Sequence, residues 1–130
     1  MSDLTLPDFV QGPVDRLTLA LYASASGDHT LIHLDPDAAK SVGLPDVIAH
    51  GMLSMAIMGR ALKHWFGLRE AKALSVRFSA PVYLGDMIRC AATVADQRKD
   101  GGVTEYALDL TGYANDRKIL SGSATVRVAG

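Results

Sequence analysis

The sequence predicts an α+β domain in which a curved antiparallel sheet wraps around one central buried helix. Three observations carry that expectation. From Gly51 to Gly59 the chain holds no charge, and a helix that is apolar all round is a buried one. From Leu74 onward apolar residues recur at every second position, the period of strands with one face on a core. Glycine-, aspartate- and asparagine-containing turns at Gly85-Asp86, Asp100-Gly101-Gly102 and Asn115-Asp116 divide that stretch into four strands.

Each element can be justified in order. A first strand is expected over roughly Phe9 to Leu17. Thr18 then caps a short helix from Leu19 to Ala25 that Gly27 ends. Asp35-Pro36-Asp37 opens a second short helix running to Val42 and closed by Gly43, with proline just inside the start and glycine just past the end. The helix over 50–66 should be enclosed in its N-terminal half, with Met52, Met55 and Met58 in the core. Arg60, Lys63 and His64 share one face and carry its C-terminal end into water. The strands follow as Leu74-Val76-Phe78, Ile88-Cys90-Ala92-Val94, Tyr106-Leu108-Leu110 and Gly122-Ala124-Val126-Val128. One enclosed helix followed by four antiparallel strands is the hot-dog architecture, here a single domain over 1–130. Such a sheet covers only one side of its helix, so a dimer is expected.

Composition narrows the function. At 130 residues the chain is the size of one domain. Thirteen basic against fourteen acidic residues leave a formal charge of −1, which disfavours nucleic-acid and membrane-surface partners. Cys90 stands alone, so neither an intrachain disulfide nor a cysteine-based zinc site can form; within a strand it reads as an inert buried thiol. Met1-Ser2-Asp3-Leu4 lacks a secretory leader's basic and apolar regions, and no apolar run reaches membrane-spanning length. A cytoplasmic location is expected.

The densest chemistry lies in Tyr22 to Asp35, between the two short helices. Asp28 and His33 are five residues apart with Leu31 and Ile32 between them, so the loop is expected to turn inward and bury both polar groups. A carboxylate and an imidazole around one water can orient it, take its proton and return a proton to carbon, and shared burial would tune both pKa values. The spacing also allows Asp28 to be a turn residue and His33 a structural histidine. His29 reads as an exposed loop residue and Asp35 as an N-cap. At the helix mouth, Gly51 would let a ligand approach free backbone N–H groups at the positive dipole end, where an oxygen gaining charge is stabilised. His50 there could donate to a ligand or make a structural bond at the helix mouth, and Ser54 reads as a core hydroxyl. The histidines at 29, 33, 50 and 64 show no metal-ligand spacing. Nucleophile-elbow, P-loop and dinucleotide-binding glycine motifs are absent.

Tyr22-Ala23-Ser24-Ala25-Ser26-Gly27-Asp28-His29-Thr30-Leu31-Ile32-His33-Leu34-Asp35, then Ile48-Ala49-His50-Gly51-Met52, resembles the MaoC-like, R-specific enoyl-CoA hydratase family of hot-dog proteins. Phe78-Ser79-Ala80-Pro81-Val82-Tyr83-Leu84-Gly85-Asp86 resembles that family's F-x-x-P-V-x-x-G-D segment, in the right order along the chain. The resemblance implies that Asp28 and His33 act on water and the α-carbon proton of an acyl thioester, and that Gly51 supplies an oxyanion donor. Ser26, Thr30, His50 and Ser54 would support them. It implies no metal and no cofactor; CoA or acyl carrier protein is the substrate's handle, and the product of hydration is a (3R)-hydroxyacyl thioester. The family's Asn-Pro is replaced by Thr30-Leu31, which alters the loop's hydrogen bonding and backbone constraint. A homodimer or higher hot-dog oligomer is expected. Two alternatives stand beside this one: a hot-dog thioesterase, and a subunit of a hetero-oligomeric dehydratase.

Overall fold

The computed structural model describes residues 4–67 and 70–129; Met1, Ser2 and Asp3, on which the expectation about a leader rests, lie outside them. In chain order the elements are β1 (Phe9–Gln11), α1 (Arg16–Ser26), a 3₁₀ turn (Leu31–His33), α2 (Pro36–Ser41), α3 (Gly51–Trp65), β2 (Ala71–Phe78), β3 (Ile88–Asp100), β4 (Val103–Ala114) and β5 (Arg117–Ala129). The strands form one antiparallel sheet in the order β1-β3-β4-β5-β2. β3, β4 and β5 are a meander whose turns use backbone that L-residues rarely adopt, with φ of 56° at Gly101, 83° at Gly102 and 53° at Asn115. Register shifts at Ala71/Ala73, Val94/Asp96 and Gly112/Tyr113 bend the sheet. This is the hot-dog fold.

β2 does not pair with β3. It joins the far edge beside β5, so residues 79–87 must carry the chain from one side of the sheet to the other. Gly122 permits the β2–β5 contact, since a Cβ there would collide with the Ser75 carbonyl oxygen. α3 packs Leu53, Ser54, Ile57, Met58, Ala61 and Leu62 into the core, against Ile88, Cys90, Leu108, Leu110, Leu120 and Val126. Each such aliphatic side chain, fully buried, contributes about 1.5–3 kcal/mol. Burial, with a smaller effect of Asp8, pushes the Cys90 thiol up to about 12, consistent with an inert core cysteine.

Three expectations are corrected. The strand over Phe9 to Leu17 shrinks to Phe9–Gln11, because Pro13 has no N–H with which to extend a ladder. Thr18 does not cap α1. Asp15 does, accepting from both the Thr18 backbone N–H and its hydroxyl at 2.7 Å, so the helix starts one turn earlier. The N-terminal half of α3 is not enclosed all round: Met52 is 56% exposed, and Ala56, Arg60 and Lys63 continue that open strip. The sheet covers the opposite side only. Among the described residues, no helix is long and apolar enough to cross a membrane.

Candidate active site

The loop after α1 is folded by its own short polar side chains. Gly27 ends α1 in the left-handed region, φ 78°. The Asp28 N–H donates to Ser26 Oγ at 3.2 Å. Asp28 Oδ1 then accepts twice from Thr30, from its N–H at 3.1 Å and its hydroxyl at 2.6 Å. Thr30 thus supplies both a backbone and a side-chain bond to the carboxylate despite replacing asparagine. The 3₁₀ turn that follows swings His33 inward, and Asp35 caps α2 by accepting from the Asp37 N–H at 2.9 Å. His29 stays exposed, beside the Gly27 carbonyl.

A second segment receives the histidine. Residues 47–50 run antiparallel to 82–83: Ile48 bridges Tyr83, and the Ala49 N–H donates to the Val82 carbonyl at 2.8 Å. The Ile48 N–H reaches back to the Ile32 carbonyl at 3.1 Å. His33 Nδ1 lies 2.8 Å from the Ile48 carbonyl. A carbonyl only accepts, so Nδ1 carries the proton and Nε2 of the neutral ring presents a lone pair. That Nε2 is 3.9 Å from Asp28 Oδ2.

The two groups meet but are not equally buried. His33 is 9% exposed, whereas the Asp28 side chain is 46% exposed and stands at the rim. The expectation of shared burial is therefore corrected. Hydrogen bonds from the Thr30 hydroxyl and N–H hold the Asp28 carboxyl below its ordinary value against the opposing effect of burial, with still smaller help from His33 and His50.

His50, 2% exposed, is the N-cap residue of α3 and gives it no side-chain cap. Its Nε2 donates instead to the Asp28 carbonyl at 3.0 Å, while Nδ1 is buried without a partner among the described residues. The ring stacks on His33 at 3.9 Å and 21°, with Tyr22 at 4.9 Å on it as well. Asp28, His33 and His50 place ligand-type atoms within 4.8 Å of one another. Near-parallel stacked imidazoles, however, aim their in-plane lone pairs side by side rather than at one point, which suits packing better than tetrahedral metal ligation.

A cavity of about 290 Å³ opens beside His33, lined among others by Ile48, Gly51, Ser54, Phe78, Pro81 and Val82. Gly51 begins α3, whose first amides have no intrahelical acceptor. The Phe78 ring lies in ordinary contact distance of where a Cβ on Gly51 would be. Ser54, 5% exposed, lines the same space. Arg60, Lys63 and Arg77 are simply exposed. Residue types could not announce the Ile48 carbonyl, since any residue offers one, nor the cavity wall at 78–82, though the Pro81-Val82 motif marks that segment.

Fold and site together define a hot-dog protein with a carboxylate–imidazole pair whose imidazole lines an apolar cavity. Residues 6–111 match the family model described as MaoC like domain, so the chain belongs to the MaoC-like dehydratase family. It is similar to the 3-hydroxyacyl-thioester dehydratase Z of Mycobacterium tuberculosis, 31% identical over an alignment of 93 residues that covers 67% of this chain and 62% of that protein; the match spans less than two-thirds of that relative's length. A solved structure of a MaoC-like dehydratase superposes with a TM-score of 0.83 at 32% identity, over 98% of this chain and 41% of that one. The (R)-hydratase from A. caviae involved in PHA biosynthesis superposes with a TM-score of 0.80 over 97% of this chain and 98% of that one. At 22% identity that likeness is one of fold.

Proposed function

We propose that this chain reversibly hydrates trans-2-enoyl thioesters, carried on CoA or acyl carrier protein, to (3R)-hydroxyacyl thioesters. The observation that carries the proposal is the 3.9 Å gap between His33 Nε2 and Asp28 Oδ2, with His33 itself lining the cavity. It is too long for a direct hydrogen bond and suits one water bonded to both. In hydration the pair takes a proton from that water as its oxygen bonds to C3, and delivers a proton to C2. The π electrons of the double bond move toward the thioester carbonyl, whose oxygen gains negative charge. The amide of Gly51, at the positive end of α3, is the donor we assign to it. Ser26 and Thr30 shape the loop, His50 pins it to the helix mouth, and Ser54 lines the acyl pocket. No metal or redox cofactor enters these steps.

We further propose that the working unit is a homodimer or higher oligomer of this chain. The open strip of α3 at Met52 and Ala56 adjoins Gly51, and the outer edge of β3 pairs with β1 only over Ile88 to Cys90. Light scattering on the purified protein should return at least twice the 13.8 kDa chain mass.

The chemical test follows crotonyl-CoA absorbance with wild type, Asp28→Asn and His33→Ala, together with product chirality and free thiol. Each substitution should lower kcat by about 10²–10⁴-fold, the usual range for a lost acid–base group. Thiol release by the wild type, or activity kept in both variants, would contradict the proposal.

A further inference from the structure

The 79–87 crossover carries a second aspartate built quite differently from Asp28. Asp86 is 6% exposed and both its carboxylate oxygens are taken. Oδ1 accepts from Asn115 Nδ2 at 3.1 Å. Oδ2 accepts from the Tyr83 N–H at 2.8 Å and from Arg117 Nη2 at 2.6 Å. The same Arg117 nitrogen donates to the Pro81 carbonyl at 3.1 Å, and the guanidinium lies 5.0 Å from the Tyr83 ring centre. One ion pair therefore grips both ends of the 81–83 segment.

That segment has two duties at the candidate site. Pro81 and Val82 wall the cavity. The Val82 carbonyl also receives the Ala49 N–H, and Tyr83 bridges Ile48, whose carbonyl takes the His33 Nδ1 proton. Arg117 and Asp86 touch neither the carboxylate–imidazole pair nor the space where substrate would sit. They hold the strand that holds the carbonyl that orients the imidazole.

We propose that Asp86 and Arg117 are positioning residues, a buried ion-pair clamp that fixes the Ile48 carbonyl and so keeps His33 in its Nδ1–H form with Nε2 toward Asp28. The proposal rests on the hydratase assignment for its kinetic consequence, though not for its structural one. A histidine freed from that carbonyl would divide between two tautomers and rotate away from the water. Misplacements of this size lower rates by about 10–100-fold. One detail makes the clamp distinctive. Both bonds to the crossover come from a single Arg117 nitrogen, so a lysine ammonium, with three donors on one nitrogen, can reproduce them. Ordinarily arginine and lysine do not exchange at such sites.

The experiment compares wild type, Arg117→Gln, Arg117→Lys and Asp86→Asn by crotonyl-CoA kinetics, thermal unfolding and ¹⁵N NMR of the imidazoles. Folded Arg117→Gln and Asp86→Asn should lose about 10–100-fold in kcat with KM within about 3-fold, and His33 should show mixed tautomers. Arg117→Lys should return kcat to within about 3-fold and restore the wild-type His33 signals. If Arg117→Gln does not fold, Asp86→Asn and Arg117→Lys carry the comparison. Unchanged kcat and His33 signals in the folded variants would overturn the clamp, as would activity lost only in proportion to the folded fraction. Should the wild type prove inert on every thioester, the function falls but the NMR arm still decides the clamp.

Discussion

Two Gly-Asp pairs, Gly27-Asp28 and Gly85-Asp86, occupy loops on either side of the 47–50 segment, and their carboxylates are treated in opposite ways. Asp86 is buried with both oxygens satisfied by Asn115, Tyr83 and Arg117. Asp28 stands at the rim with Oδ1 taken by Thr30 and Oδ2 facing His33 across 3.9 Å. A buried carboxylate with both oxygens bonded to protein groups is out of reach of a reacting water, whereas one engaged on a single oxygen is held in place and still has an acceptor to offer. The same dipeptide thus yields a strut in one loop and a reactive group in the other. The difference lies in what the fold brings to the second oxygen.

The sharpest way to break this contrast is to exchange stability and activity between the sites. Asp28→Asn should lower kcat by about 10²–10⁴-fold while leaving the urea-unfolding midpoint close to that of wild type, as for an exposed surface position. Asp86→Ala should cost stability first, beside the about 10–100-fold in kcat that loss of the clamp brings. It leaves a guanidinium without its partner and should lose about 2–4 kcal/mol in urea unfolding, below the full figure for a deeply buried pair because Arg117 is partly exposed. Equal stability losses at the two positions would erase the distinction.

A smaller effect sharpens the account of Asp28. Its carboxyl is held low by the Thr30 bonds, so any linked stability is complete above the ordinary carboxylate value and is lost only as pH falls through the lowered one. Between about pH 5 and 8 its charge should not change. Thr30→Val removes the hydroxyl donor, and ¹³C NMR titration of Asp28 should then move upward toward the ordinary value. Smaller still in consequence, Cys90 with its raised pKa should resist disulfide reagents at pH 8 until denaturant is added, when one thiol per chain becomes reactive.

Much of this was legible in the sequence because it depends on local pattern. The alternation through β3 to β5 reports burial directly, and the uncharged start of α3 reports the one face that Leu53, Ser54, Ile57 and Met58 bury. The Gly-Asp-x₄-His spacing brings Asp28 and His33 together through a loop closed by its own Ser26 and Thr30 bonds. What escaped depends on tertiary partners. Thr18 read as the cap of α1, and only the backbone decides that Asp15 accepts and the threonine donates. Burial of Asp28 failed as an expectation because a polar residue beside apolar ones in sequence need not share their face. The pairing of β2 with β5 rather than β3 has no local signal, and with it goes the reason Arg117, after an ordinary turn, reaches Asp86. Met52 read as core because its sequence neighbours are apolar, but the sheet has only one side to cover.

The central claim concerns atoms added across a double bond, and product analysis in deuterium oxide tests it most directly. Incubated with an enoyl-CoA, the wild type should yield the intact thioester with one deuterium at C2 and an R-configured hydroxyl at C3, in the same position on every molecule. Free CoA beside an unchanged double bond would contradict the account and identify the cavity as a thioesterase site instead.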